Sequence, residues 1–485
     1  MSDTAAQILL IYPQTGASTV RPPHAYLVIG AVLKEQGFQV KLLDQRGEPD
    51  FFEELASYLS GGRLLFVGIS SMTGTQIACG LSICRHIRSK YPRIPIVWGG
   101  VHPTLLPRQT IESEYVDIVV KNEGEQTCLE LALAFRDGHP LDNISGILYR
   151  KNGVIVENVD RPFIDLDSFP PPDWGLIDVP KYIAVDSEGR RTLGLYTSRG
   201  CPFACTFCYN ARFNQGRWRS RSCQSVLEEI LWLVSRYHLE QIQFIDDNFM
   251  ADRDRVIDIC SGLIAHNLGI TLIASSRPEY VYNDRGLIEK LAKAGFRKIY
   301  MGAESGSERM LELVNRSGTK SQCLEAARLC AEYGIIPEFS FMIGLPGETE
   351  SDVFESLRFA QQLKTVNPAV IITDFKIFTP YPGTPLYDLA VRQGLTPPQS
   401  LAGWSAYIWG NVEYPWIEDI QFVRTVSLVS LFANYYHEFR QDLRGPVRRI
   451  GSALLHRLAL IRWKAAFFDF PVEWMILRRI FLKGG

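Results

Sequence analysis

The chain has 485 residues, is 46% hydrophobic and carries a formal net charge of -2. That length predicts two or three domains, and that charge gives no electrostatic case for nucleic acid. No apolar run reaches the ~18 residues of a spanning helix, and MSDTAAQILLIYP has no basic region before its apolar run, so no signal peptide is expected. Ten cysteines without a leader point to a reducing, cytoplasmic compartment and to metal or thiol chemistry instead of disulfides.

Taken in order, ILLIYP (8–13) is expected to be a buried strand, and AYLVIGAVLKEQ (25–36) a helix stopped by Gly37. VKLLD, ending at Asp44, is the second strand, and a helix spans about Phe51 to Leu59. LLFVGIS, ending at Ser70, is the third strand, Gln76 to Lys90 is helical, PIVWGG is the fourth strand, and DIVVKNEGE the fifth. This alternation predicts a doubly wound parallel sheet that binds ligands at the carboxyl ends of its strands. Ser70, Ser71, Gly99, Gly100, His102, Glu123 and Gly124 fall at those ends. Small residues there let a large ligand approach the backbone. No G-x-G-x-x-G follows the first strand, which argues against a dinucleotide.

Residues 141–190 are expected to be a connector, with a hairpin around Asn152-Gly153 and then an extended proline-rich stretch. A second alternation begins near Gly194. IQFIDDNF places Asp246, Asp247 and Asn248 at a strand end, TLIASSRPEY places Arg277, KIYMGAESGS places Glu304 and Ser305, and FSFMIGLPGET places Gly344 and Gly347. Six such units predict a partial (β/α)6 barrel with its chemistry at the carboxyl ends. Beyond about Gly394 the pattern becomes helical. The segment from Arg448 to the end mixes Arg and Lys with Trp, Phe and Leu. That mixture fits either an interfacial helix at a membrane surface or a helical cap over the barrel mouth.

The most informative stretch is TSRGCPFACTFCYN (197–210), with Cys201, Cys205 and Cys208 in the pattern C-x3-C-x2-C. Iron–sulfur clusters normally take four cysteines, so three leave one iron open to a small molecule. A structural zinc site wants four closed ligands, and no fourth Cys or His lies nearby. The motif and its flanks resemble the cluster loop of radical S-adenosylmethionine (SAM) enzymes. The strand-end serines and glycines of residues 5–140 resemble the cobalamin-binding domain that precedes the barrel in one large subgroup.

The resemblance implies a 4Fe-4S cluster on the three cysteines, SAM on its open iron, and cobalamin in the first domain. By the same resemblance Phe207 lies beside the adenine, and Asp246 and Asp247 hold the SAM amino group. Arg277, Glu304 and Ser305 touch its carboxylate and ribose, and the Gly344–Gly347 turn supports the adenine. The strand-end residues of the first domain would line the cobalamin groove. The D-x-H-x-x-G motif of many cobalamin domains is missing from QTGASTVRPPHA, so a weak or absent protein ligand below cobalt is expected, with His24 and His102 as the candidates.

The expected domains are a cobalamin domain (1–140), the connector (141–190), a radical SAM core (191–395) and a C-terminal helical region (396–485). The expected reaction is methylation of an unactivated carbon, by hydrogen abstraction and methyl transfer from methylcobalamin. A cyclase or rearrangement enzyme like the anaerobic magnesium-protoporphyrin ester cyclase is the alternative, and a non-catalytic cobalamin or SAM sensor the third. The expected partners are a small-molecule substrate (lipid, tetrapyrrole or natural-product intermediate) and an electron donor such as flavodoxin or ferredoxin. No residue is singled out as catalytic, because the cofactors carry the chemistry.

Overall fold

The computed structural model describes residues 7–16, 21–60, 64–186, 188–408, 411–434 and 446–469. The first sheet is built from β1 (Gln7–Tyr12), α1 (His24–Glu35), β2 (Gln39–Asp44), α2 (Phe51–Ser60), β3 (Leu64–Ser70), α3 (Thr75–Lys90) and β4 (Ile96–Gly99). The short α4 (Val101–Leu105) and α5 (Pro107–Ile111), then β5 (Ile118–Val120), α6 (Glu125–Asp137), β6 (Ile147–Lys151) and β7 (Val154–Glu157) complete it. The strand order is β2-β1-β3-β4-β5-β6-β7, with β1 to β5 parallel and the last two antiparallel. β3 is buried along its five central residues, as a strand covered by helices on both faces must be.

The hairpin around Asn152-Gly153 forms as expected, but it extends this sheet instead of standing apart as a connector: Ile118 pairs with Tyr149 and Val120 with Ile147. The proline-rich stretch that follows is not simply extended. It makes short 3-10 turns at Leu166–Ser168, Trp174–Leu176 and Val179–Tyr182. It docks on α1 and the first sheet through Lys34–Asp173 (2.5 Å) and Tyr182 Oη donating to Asp44 (2.8 Å).

The second sheet contains β8 (Ala184–Val185), β9 (Arg191–Leu195), β12 (Gln241–Phe244), β13 (Thr271–Ser276), β14 (Phe296–Glu304), β15 (Ile336–Ile343) and β16 (Ile371–Ile377), in the order β16-β15-β14-β13-β12-β9-β8. Between β9 and β12 come the ribbon strands β10 (Ser198–Arg199) and β11 (Arg219–Ser220), with α7 (Asn210–Phe213) between them, and α8 (Cys223–Tyr237). The other helices are α9 (Arg253–His266), α10 (Pro278–Val281), α11 (Arg285–Ala294), α12 (Glu308–Leu313), α13 (Lys320–Glu332), α14 (Glu350–Val366) and α15 (Pro385–Arg392). Six parallel strands in sequential order, each followed by helix, make the expected half-barrel. Side-chain caps start its helices: Ser222 for α8, Asp252 for α9, and Thr319 and Thr349 in capping boxes for α13 and α14. Phe244, Phe249 and Phe296 stack within the core, fully buried, and burying each contributes about 1.5–3 kcal/mol.

α16 (Ile420–Asn434) and α17 (Pro446–Ala465) cover the free edge of β16. Ser430 Oγ accepts from the Phe375 N–H at 2.7 Å, and Trp463 packs edge-on to Phe375. An edge strand with open N–H groups invites unwanted pairing, and this cover removes it. The expected cap over the barrel mouth is therefore a cap on the barrel edge. No described helix is long and apolar enough to cross a membrane. The terminal stretch of the C-terminal amphipathic segment (470–485) lies outside the described residues.

Candidate active site

The three cysteines lie between β10 and α7. β10 and β11 pair antiparallel, Ser198 with Ser220 and Arg199 with Arg219, and so close the base of the loop. Gly200 begins it at φ +87°, and a Cβ there would sit 2.0 Å from Arg217 O. Only glycine fits, because the conformation is left-handed and the space is taken by backbone. Gly200→Ala should therefore displace the loop at a cost of at least about 2 kcal/mol. The expected readout is loss of reconstituted iron from a chain whose circular dichroism is unchanged.

Further along, Thr206 N–H donates to Val314 O (3.1 Å), Thr206 Oγ1 to Leu313 O (2.8 Å), and Asn315 Nδ2 to Ala204 O (2.9 Å). The loop is thus tied to the end of α12. Asn248 Nδ2 lies 3.8 Å from Cys201 Sγ, and Arg277 Nη1 lies 3.5 Å from Cys205 Sγ. Burial pushes the Cys208 thiol up to about 12, so iron must displace its proton. Among the described residues no three donors are gathered around a single ion. A four-iron cluster does not need that, since each thiolate takes a different iron. The loop fits such a cluster, with two side-chain donors already aimed at its sulfurs.

The residues expected around SAM divide into two groups. Phe207 is half-buried against an apolar cluster of Met310, Val314, Met342, Leu345, Phe378 and Leu386, one of which, Leu345, belongs to the Gly344–Gly347 turn. Asp247 is solvent-exposed but hemmed in by protein: it accepts from the Gly200 N–H at 3.1 Å, and partial desolvation raises its carboxyl above the usual range. Glu304 stands at φ +63°, an uncommon conformation for a side chain of its size. It folds over Gly302, and burial raises its carboxyl too. Backbone strain of this kind clusters at functional sites.

The others are occupied. Asp246 accepts from Thr197 N–H (2.6 Å) and Thr197 Oγ1 (2.5 Å), one bond on each oxygen. Ser305 is fully buried and bonded to Ser356 Oγ at 3.0 Å. Arg277 stacks on Phe203 at 3.5 Å and pairs with Glu279 at 2.5 Å. In this structure Asp246 and Ser305 brace the barrel, and Arg277 faces the cluster loop.

Glu348 was not singled out by the sequence. Its Oε2 accepts from Gly344 N–H (2.5 Å) and Leu345 N–H (3.3 Å), while Oε1 is buried without a partner. Burial raises its carboxyl from 4.5 to about 8. The neutral form is the one the fold favours, so its stability cost is absent below pH 4.5 and grows as pH rises to about 8. Glu348→Gln should raise the melting temperature at pH 8, by a gain on the order of 3 kcal/mol, and change it little near pH 4.5. Trp416, also missed, donates from Nε1 to Gly344 O at 2.9 Å and ties the C-terminal region to this turn.

In the first sheet, Gly100 sits at φ +97°, and a Cβ there would meet Ser71 O at 3.0 Å and Ser70 Oγ at 3.1 Å. The serine and double-glycine loops therefore share one seam at the ends of β3 and β4. His102 is fully buried. Its Nδ1 bonds Thr73 Oγ1 at 2.9 Å, its Nε2 has no partner, and its ring lies 5.7 Å from Trp404. Burial lowers its pKa to about 4, so the ring is neutral. His24 Nε2 bonds Gly194 O at 2.9 Å and so joins α1 to the barrel. Glu123 does not line an open groove: Arg199 and Arg219 hold it. Burial alone would raise its carboxyl, but those guanidinium groups outweigh burial and hold it below the usual range. α4 packs against α7, so this strand edge faces the cluster loop. A seam of small residues beside an orphaned imidazole fits a cofactor with a narrow polar tail.

A cysteine loop on a half-barrel, facing a strand-end seam on a doubly wound sheet, defines a two-cofactor enzyme. Two family models match: the radical SAM superfamily over residues 195–360 and the B12 binding domain over residues 18–132. An uncharacterised methyltransferase of Pyrococcus horikoshii is 32% identical over 397 residues, covering 80% of this chain and 84% of that protein. The anaerobic magnesium-protoporphyrin IX monomethyl ester cyclase of Synechocystis is 29% identical over 374 residues, covering 76% and 73%. The solved structure of the cobalamin-dependent SAM radical enzyme OxsB, with aqua-cobalamin and SAM bound, shares the fold with a TM-score of 0.75 at 19% identity, covering 99% of this chain and 75% of that one. The chain belongs to the cobalamin-dependent branch of the radical SAM superfamily. It is a radical SAM enzyme whose cofactors are a 4Fe-4S cluster, SAM and cobalamin.

Proposed function

We propose that this enzyme methylates an unactivated carbon of a small molecule. The apposition of the two cofactor regions, with α7 and the ribbon of the cluster loop against the loops that follow β4 and β5, supports a reaction that uses both cofactors, and the observation that carries methyl transfer over cyclisation is the 32% identity to the Pyrococcus protein. When bound, the cluster and SAM supply a hydrogen-abstracting radical, and the cobalt carries a methyl group. The protein's part is to hold the cluster through Cys201, Cys205 and Cys208, to seat adenine against Phe207 and the Gly344–Gly347 turn, and to meet SAM's polar groups with Asp247 and Glu304. Ser70, Ser71, Gly99, Gly100, His102 and Gly124 would line the cobalamin seam. The Pyrococcus relative, named a methyltransferase, supports this reading.

A cyclisation without methyl transfer is the second reading, and the Synechocystis cyclase favours it. Reductant delivery by a flavodoxin or ferredoxin suits either. Exposed Leu454, Ile461 and Phe467 beside Arg457 and Lys464 on and just after α17 support peripheral contact with a membrane surface. The test is anaerobic incubation with methyl-labelled SAM and cell extract, read by mass spectrometry. A small molecule that gains the labelled methyl group is expected. Consumption of SAM with a product that gains no label would favour cyclisation.

A further inference from the structure

Four charges lie between the two sheets that neither cofactor site as described uses. Glu123 and Glu125 flank Gly124 where β5 gives way to α6. Arg199 ends β10, two residues before Cys201, and Arg219 faces it across the ribbon. Arg199 Nη1 donates to Glu123 Oε1 at 2.9 Å, and Arg199 Nη2 to Glu125 Oε1 at 2.6 Å. Arg219 grips both oxygens of Glu123, at 2.8 and 2.9 Å. Its guanidinium also stacks on Phe163 at 4.1 Å and donates to Asn214 Oδ1 at 3.3 Å. The Glu125 and Glu123 side chains are only 2% and 11% exposed.

We propose that this network is a positioning latch: it fixes the cobalamin-binding edge of the first domain against the cluster loop and so sets the distance between cobalt and cluster. Four features carry the argument. Both arginines sit on the ribbon that closes the cluster loop, so a displaced carboxylate is felt within two residues of Cys201. Both carboxylates lie just past β5, Glu123 in the turn and Glu125 opening α6, and β5 is anchored on one side to β4 and on the other to β6. The bidentate fork of Arg219 on Glu123, and Arg199 spanning Glu123 and Glu125, prescribe direction as well as attraction. Glu125 Oε2 and Arg219 Nε stay buried without partners, a cost that a merely adhesive contact could avoid with apolar side chains. Methyl transfer and cyclisation need this geometry equally, because a misplacement on the order of 1 Å can slow a reaction about a hundredfold.

The test uses full-length protein carrying Glu123→Gln and Glu125→Gln together, which keeps volume and removes charge. In the cofactor-free chain, hydrogen exchange at 121–126 and 197–201 should rise together, at least about tenfold, while β1 to β3 stay protected. In protein reconstituted with iron, sulfide and hydroxocobalamin, pulsed electron paramagnetic resonance should show a broadened distance distribution between reduced cluster and cob(II)alamin. Arg219→Lys keeps the charge but loses the fork, and should broaden it less. A distance as sharp as wild type in both variants would overturn the proposal. So would loss of protection across both sheets in both variants, which would make the network a folding element. Failure of the double variant to retain cobalamin, with exchange unchanged, would make the carboxylates ligands and equally overturn it.

Discussion

Replacing Cys201, Cys205 and Cys208 together with alanine should leave the chain folded, free of iron and unable to cleave SAM. The loop's hydrogen bonds to α12 run through Thr206, Ala204 and Asn315, not through the cysteines, so its path does not depend on them. No other cysteine can take their place. Cys79 and Cys84 lie on α3, Cys84 beside Trp98 Nε1, Cys223 Sγ turns to Arg255 O, Cys128 and Cys260 are buried on α6 and α9, and Cys323 and Cys330 are buried together on α13. Such thiols behave as small apolar residues. Iron analysis and anaerobic SAM cleavage check this, with the wild type expected to hold one four-iron cluster. Iron at about twice that content, with a second cluster signal by Mössbauer spectroscopy, would contradict it.

Gly100→Trp should abolish cobalamin retention and leave the iron content intact. A side chain at φ +97° carries left-handed strain of about 1–2 kcal/mol, and its first carbon already meets Ser71 and Ser70 at 3.0–3.1 Å. Overpacking adds about 1–3 kcal/mol. Both penalties fall on the loop with or without cobalamin, a destabilisation on the order of 3 kcal/mol, and the affinity is lost because the indole fills the seam. Corrin absorbance after desalting is the readout. A variant that keeps hydroxocobalamin as well as wild type does would place the tail elsewhere.

Both sites rest on features that local sequence carries. The alternation of strands and helices, the turn glycines and the cysteine spacing all depend on neighbours within a few residues, and they led to both sheets. What local pattern does not encode is the partner. Asp246 has the right chemistry for an ammonium, yet Thr197, 49 residues away, takes both its oxygens. Ser305 is claimed by Ser356, and Glu123 by arginines 76 and 96 residues on. The hairpin at Asn152-Gly153 was legible as a hairpin, but which sheet edge it joins depends on β5. Likewise the C-terminal helices were legible as amphipathic, while their seat depends on β16 presenting an open edge. Glu348 gave no sequence signal beyond an acid after a glycine turn, and its raised carboxyl arises from burial in the assembled barrel.

The central claim is that one chain couples radical formation to methyl transfer. The most direct measurement is the ratio of two nucleoside products during turnover with cell extract under reducing, anaerobic conditions. Methyl donation from one SAM leaves S-adenosylhomocysteine, and radical cleavage of another leaves 5′-deoxyadenosine. The account predicts that the two accumulate in equal amounts, with a trideuteromethyl group replacing hydrogen in the product when SAM carries that label. Sustained 5′-deoxyadenosine formation with a modified product and no S-adenosylhomocysteine would contradict it.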